Sequence, residues 1–190
     1  MTDVRRISVT YPGALAARYR WGGSGSAAEV YASSEGGGSL ADHAALAGPD
    51  PARMCRAELR VEGPLGTWTA RFASPVFDEP AGLLWDSEAL LIVKYGFLAY
   101  ALASRTGALR WAHLAGTPTV AVLGSTRLPH VLLQSEIETV ALDPAGAVRW
   151  RLAHGDVIAA AELLAGKLAL TSYDGSVSLL DPVDGRTLRQ

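Results

Sequence analysis

Four histidines, one cysteine and a scatter of carboxylates are the side chains from which this chain could build a reactive site. His113 and His154 each follow a tryptophan-bearing apolar segment, RWAH and RWRLAH, and so hold comparable places. Two imidazoles beside acids could pass protons or hold a small ligand. No two histidines stand at metal-binding spacing such as H-x₃-H or HExxH, and His43 and His130 lie apart. No GxSxG nucleophile turn occurs. Glu136 and Glu138, two apart in a strand-like segment, would share a face and could do acid–base work, although a solvated sheet face asks for the same pair. Cys55 lies in RMCRAE near Arg53 and Arg56, whose charges would lower a thiol pKa, while a lone cysteine in a strand more often packs. Gly23-Ser24-Gly25-Ser26-Ala27-Ala28 has the G-x-G-x-x-A spacing of a phosphate cradle. That cradle needs a helix directly after it. AAEVYASSEGGGS is too short and too rich in Ser and Gly to supply one, so a hairpin loop is expected.

The chain that must position these residues has 190 of them, with 49% hydrophobic and 19% charged, which suits a packed core and argues against disorder. A net charge of −2 with scattered arginines gives no footprint for nucleic acid or an anionic membrane. MTDVRRISVTYPG lacks the apolar run of a signal peptide, and no segment approaches the roughly 20 apolar residues that span a bilayer. One cysteine excludes an intrachain disulfide. Together these features predict a cytoplasmic protein.

Two textures divide the chain. Residues 1–75 are irregular and β-rich: RRISVTYP, ALAARYRW and AEVYAS read as short strands between WGGSGS and SSEGGGS, LADHAALA (40–47) as two helical turns, and RAELRVEG with GTWTARF as a hairpin. Residues 76–190 carry strand-length apolar pieces in three sets, about 81–113, 117–154 and 157–190. No set has room for a long helix between strands, so antiparallel meanders are expected rather than βαβ units. VIAAAELL has helical propensity, but its place in the third set makes it a strand.

The sets repeat with a fixed period. Their turn glycines are Gly107, Gly146 and Gly185, and 146 − 107 = 39 and 185 − 146 = 39. Trp111 and Trp150 come four residues after the first two. A period near 40 with four short strands per unit is the signature of a β-propeller blade, which cannot cover its own faces and buries them on its neighbours. Asp143-Pro144 and Asp181-Pro182 suit the turn before each glycine, with Pro presetting φ and Asp capping the backbone. The tryptophans are expected to fill space between sheets, each burying apolar area worth roughly 2–3 kcal/mol.

The pattern Leu142, Asp143, Gly146, Trp150 resembles the repeat of PQQ-like, quinoprotein-type propellers. Leu102, Gly107 and Trp111 carry it in the first copy, with Ala103 in place of Asp; Leu180, Asp181 and Gly185 carry it in the third, without the tryptophan. The resemblance spans about residues 81–190 and implies an all-β, propeller-like stack of four-stranded antiparallel blades, as a small or incomplete ring. Residues 1–75 would either add degenerate blades or leave the ring open, the remaining alternative being a separate β-sandwich or barrel. The quinone of such enzymes comes with calcium and often a vicinal disulfide; this chain has no acidic cluster or second cysteine for them, and no cofactor and no metal is expected.

In a four-stranded meander the second-to-third turn and the blade-to-blade connection share one end. That rim would gather Tyr95, His113, Glu136, His154, Asp156, Tyr173 and Asp174. The sequence thus predicts a non-enzymatic interaction or scaffold module with no catalytic residues, engaging a protein partner or itself through the rim or a blade edge. The alternative is a small-molecule-binding protein or enzyme using His113, His154, Tyr173 and Asp174.

Overall fold

The computed structural model describes residues 4–22 and 54–188. The cradle-like stretch 23–28, the strand expected over 28–33, the helix expected over 40–47, His43, Arg53 and Arg189 lie outside them.

The described residues form four antiparallel sheets in strict chain order. The first holds β1 (Arg5–Tyr11), β2 (Leu15–Gly22), β3 (Cys55–Gly63) and β4 (Gly66–Ser74). The second holds β5 (Ala81–Trp85), β6 (Leu90–Tyr95), β7 (Leu98–Ala103) and β8 (Leu109–Leu114). The third holds β9 (Thr119–Leu123), β10 (Val131–Ser135), β11 (Glu138–Leu142) and β12 (Val148–Ala153). The fourth holds β13 (Ile158–Leu164), β14 (Lys167–Ser172) and β15 (Val177–Leu180), with a single bridge, Leu180 to Thr187, where a fourth strand would begin. Each sheet pairs consecutive strands antiparallel, as a meander does; within the second to fourth sheets the turns are too short for a crossover.

Central strands β6, β7, β10 and β11 carry apolar residues on both faces and are almost fully buried, so one sheet contributes to two cores. Leu91, Val93 and Tyr95 of β6 pack on Tyr19, Leu59 and Phe72 of the first sheet. Leu90 and Ile92, on the other face, pack on Val131, Leu133 and Val140 of the third. Leu132 and Ala141 meet Ile158, Leu168 and Leu170 of the fourth. No core joins the fourth sheet to the first among the described residues, and the ring stays open.

Tryptophans interlock successive sheets. The Trp111 indole N–H donates to the Pro144 carbonyl at 3.0 Å, and its ring lies directly under Gly146 of the next sheet. Gly146 has φ +82, and a Cβ there would sit 2.7 Å from Trp111 Cγ; the position needs glycine for its backbone and for its neighbour. Trp150 lies under Gly185 in the same way. Trp68 of β4 completes the series, under Gly107 with its N–H on Ser104 carbonyl at 2.9 Å. Asp143 caps its turn as expected, accepting from the Ala145 and Ala147 amides at 3.0 and 2.9 Å.

The two ends of the stack differ. On the first sheet's outward face, opposite its core, Arg20 and Arg71 flank Glu58 at 3.9 and 3.4 Å, and Arg18 and Arg60 each lie 3.3 Å from Glu62. The fourth sheet's outward face instead carries Ala160, Glu162 and Leu164 of β13, Lys167, Ala169 and Thr171 of β14, and Val177 and Leu179 of β15, the residues that alternate with its inward set.

Candidate functional site

Cross-strand register makes the sheets comparable residue by residue. Ile92–Ala101, Leu132–Ala141 and Ala169–Leu179 are corresponding pairs on the face turned toward the next sheet. The first two pairs are at most 1% exposed, because a following sheet covers them. The third pair has no described sheet over it: Ala169 is 9% exposed and Leu179 half-buried, flanked by Leu164 at 54% and Val177 at 49% exposure.

The expected rim exists as one end of the stack. The turns between second and third strands are stitched there to the connections between sheets: the His154 amide donates to Ile137 carbonyl at 2.7 Å, Ile158 to Glu136 at 2.6 Å, and Tyr173 to Val157 at 2.8 Å. Glu136, Asp156, Tyr173 and Asp174 lie in these segments, and Tyr173 is 84% exposed. Asp174 accepts from the Ser176 amide at 2.8 Å, which holds its carboxyl below the usual range. Tyr95 departs from the expected set. It alternates inward with Leu91 and Val93, is fully buried, and stacks near Phe72 at 6.5 Å between ring centres. Glu136 and Glu138 also part, because Glu136 sits in the turn and only Glu138 is on β11, paired with Arg151 at 3.5 Å.

His113 and His154 do not occupy equivalent positions. His113 pairs with Ala99 inside β8, the place that Leu152, paired with Thr139, takes in the third sheet; His154 lies just beyond β12. His113 stands near Arg151 and Glu138, and burial together with the Arg151 charge lowers its pKa below the ordinary value, against the opposing pull of Glu138. Burial lowers that of His154 too, again against Glu138.

His154 ends a buried polar chain that the sequence did not single out. Its Nε2 lies 2.7 Å from Thr139 Oγ1, and Thr139 donates to Gln134 Oε1. The Gln134 amide nitrogen donates to the Ser135 and Glu138 carbonyls, which fixes Oε1 as the acceptor. The Thr139 proton is therefore spent on Gln134, and His154 Nε2 must be the donor to Thr139. A histidine donating to a hydroxyl cannot deprotonate it, so this arrangement orients side chains and activates no nucleophile. Gln134 and Thr139 form the corresponding pair to Lys94 and Ala99. At the Lys94 position the buried polar need is met differently: Lys94 Nζ lies 2.7 Å from Asp78, whose other oxygen accepts the Gly96 amide at 2.7 Å.

Among the described residues no three His, Cys, Asp or Glu side chains converge as metal ligands. Cys55 is buried at the start of β3 within the first core. A cleft of about 480 Å³ at the opposite end, between Pro12, Trp85, Asp86, Thr126 and His130, is lined largely by apolar atoms, and His130 there bonds Pro182 carbonyl at 2.8 Å.

The lowered imidazole pKa values give a pH dependence. Below the ordinary imidazole value of 6.5 the unfolded chain takes up protons that the folded one resists, so stability is full above that pH and is lost as pH falls. Wild type is expected to lose more melting temperature between about pH 7.5 and about pH 5.5 than the double variant His113→Leu, His154→Gln. Equal slopes in a thermal scan would show that the two rings do not titrate with folding.

No family model matches the sequence, and no curated protein matches it. Solved structures do. The chain is similar to BamB from Moraxella catarrhalis, with 19% identity, a TM-score of 0.51 and coverage of 70% of this chain and 41% of that one. It is similar to the Neurospora crassa Pan2 WD40 domain at 16% identity and TM-score 0.50, over 72% of this chain and 45% of that one. HIRA(644-1017) aligns over 99% of this chain and 53% of its own at 10% identity and TM-score 0.51. Likeness at these identities shows the fold, a β-propeller arrangement of antiparallel sheets. The chain spans about half or less of those structures.

Proposed function

We propose that this chain is a non-enzymatic interaction module, built on the PQQ-like repeat, whose working surface is the outward face of the fourth sheet and whose partner is a protein. One observation carries this reading. No described sheet covers this face as one does in both preceding sheets, and although Ala169 is shielded by its neighbours and Leu179 is half-buried, Leu164 and Val177 on the same face are exposed. An apolar β-surface flanked by charges is what a protein partner covers, since burial contributes roughly 25 cal/mol per Å² of apolar area. The hydrogen-bond direction at His154 and Thr139 supports the non-enzymatic part of the reading. The rim, with Tyr173 as its most exposed aromatic, stands beside this face as a second contact region.

Side-chain footprinting by hydroxyl radicals tests it. Leu164, Val177 and Leu179 are expected to react several-fold more slowly at native abundance in a cell extract than in the dilute purified chain. Equal reactivity in both settings would mean that nothing covers the face.

A further inference from the structure

The geometry points to a second copy of this chain as the occupant of the fourth-sheet face, packed face to face about a two-fold axis. This inference rests on reading that face as an interaction surface, and commits it to one partner. Two features of the molecule carry it.

The first is what the other end of the stack excludes. Head-to-tail association, one copy's fourth sheet on another copy's first, would set Leu164, Val177 and Leu179 against a face that presents the water-exposed pairs of Arg18 and Arg60 with Glu62. Covering those ion pairs with aliphatic side chains strips water from charges and returns no new partner. The apolar face thus matches no other described sheet face of the molecule except itself, and a surface that meets itself does so by two-fold symmetry.

The second is the placement of the charges on the face. Leu164 pairs with Lys167 across the β13–β14 hairpin, and Glu162 pairs with Ala169. Glu162 and Lys167 are therefore diagonal neighbours of opposite sign, and both are exposed. A two-fold axis in the interface plane, crossing midway between them, sets Glu162 of one copy against Lys167 of the other, and the reverse. Both pairs form together, with Leu164, Leu179 and Val177 around them. Lys94, the only other lysine in the chain, is buried against Asp78, so Lys167 is its one exposed ammonium side chain.

Light scattering after gel filtration, with charge-swapped variants, tests the pairing. Wild type at about 50 µM is expected near 40 kDa, twice the 20.0 kDa of one chain. Lys167→Glu alone and Glu162→Lys alone each set like charges together and are expected to raise the dissociation constant at least tenfold, giving monomers. Mixed in equal amounts, the two variants regain opposite charges at both contacts and are expected to return to the dimer mass. Circular dichroism identical to wild type keeps unfolding out of the comparison. A monomeric wild type overturns the second copy as occupant; protection of the face in extract would then still leave the interaction module standing. A wild-type dimer that both single variants retain, or a mixture that stays monomeric, places the contact elsewhere and overturns the inference.

Discussion

Trp111→Ala is expected to lower the unfolding free energy by about 3 kcal/mol, or roughly 6–12 °C in melting temperature for a chain of this size. The ring is half-buried in the core between the second and third sheets, its N–H satisfies the Pro144 carbonyl, and its face fills the space that Gly146 leaves. Truncation removes apolar contact, leaves a cavity under a glycine turn that cannot collapse, and orphans a carbonyl. Phenylalanine separates the parts. Trp111→Phe keeps the fill and loses the hydrogen bond, and should cost about 1 kcal/mol from that loss alone. Trp150→Phe should cost less, because the Trp150 indole nitrogen is buried without a hydrogen-bond partner: His130 already holds the Pro182 carbonyl, and its ring meets Trp150 edge-on at 6.1 Å. Urea unfolding of the three variants reads the ranking directly, and equal costs for the two phenylalanines would break the proposed division of labour.

Asp78→Ala is expected to be comparably severe, at about 3–5 kcal/mol. Lys94 has a side chain only 8% exposed, set between sheets, and its ammonium depends on Asp78 at 2.7 Å with a weaker contact to the Thr119 carbonyl at 3.3 Å. Without the carboxylate a charge stays buried without its counter-ion. The Gly96 amide loses its acceptor in the same step. Adding Lys94→Met to Asp78→Ala removes the stranded charge and should recover part of the loss, though not the amide bond. A single variant as stable as wild type, or a double variant no better than the single, would show that water reaches this site and replaces the pair.

The repeat was legible because its markers are local. A glycine with positive φ, an aspartate that caps the turn and a tryptophan four residues on lie within a dozen positions of one another, and each is dictated by the turn itself. Trp68 does the same work and escaped the period, since it follows its own hairpin glycine, Gly66, by two residues and stands 43 residues before Trp111. The strands of the first sheet could be read one by one, but not their union. β2 and β3 pair along their length, from Ala16–Glu62 to Gly22–Arg56, across a stretch of more than thirty residues that carries no signal of that register. Tyr95 looked like a rim residue because it precedes a turn glycine; strand alternation sends its ring inward with Leu91 and Val93. The polar chain from His154 to Gln134 joins β10, β11 and the segment after β12, and no spacing along one strand reveals it.

The interlock also has an arrow. Trp68, Trp111 and Trp150 each reach from the last strand of one sheet to the third turn of the next, never backward, so the join between units is written partly in one repeat and partly in its successor. Copying any continuous stretch of about one repeat length therefore copies a complete join, wherever the cut falls. A closed ring would forbid such growth, because its circumference fixes how many units fit. An open stack sets no such count. By duplication and loss, a lineage carrying this architecture can lengthen or shorten by whole units between the first sheet and the last, and keep both end surfaces unchanged.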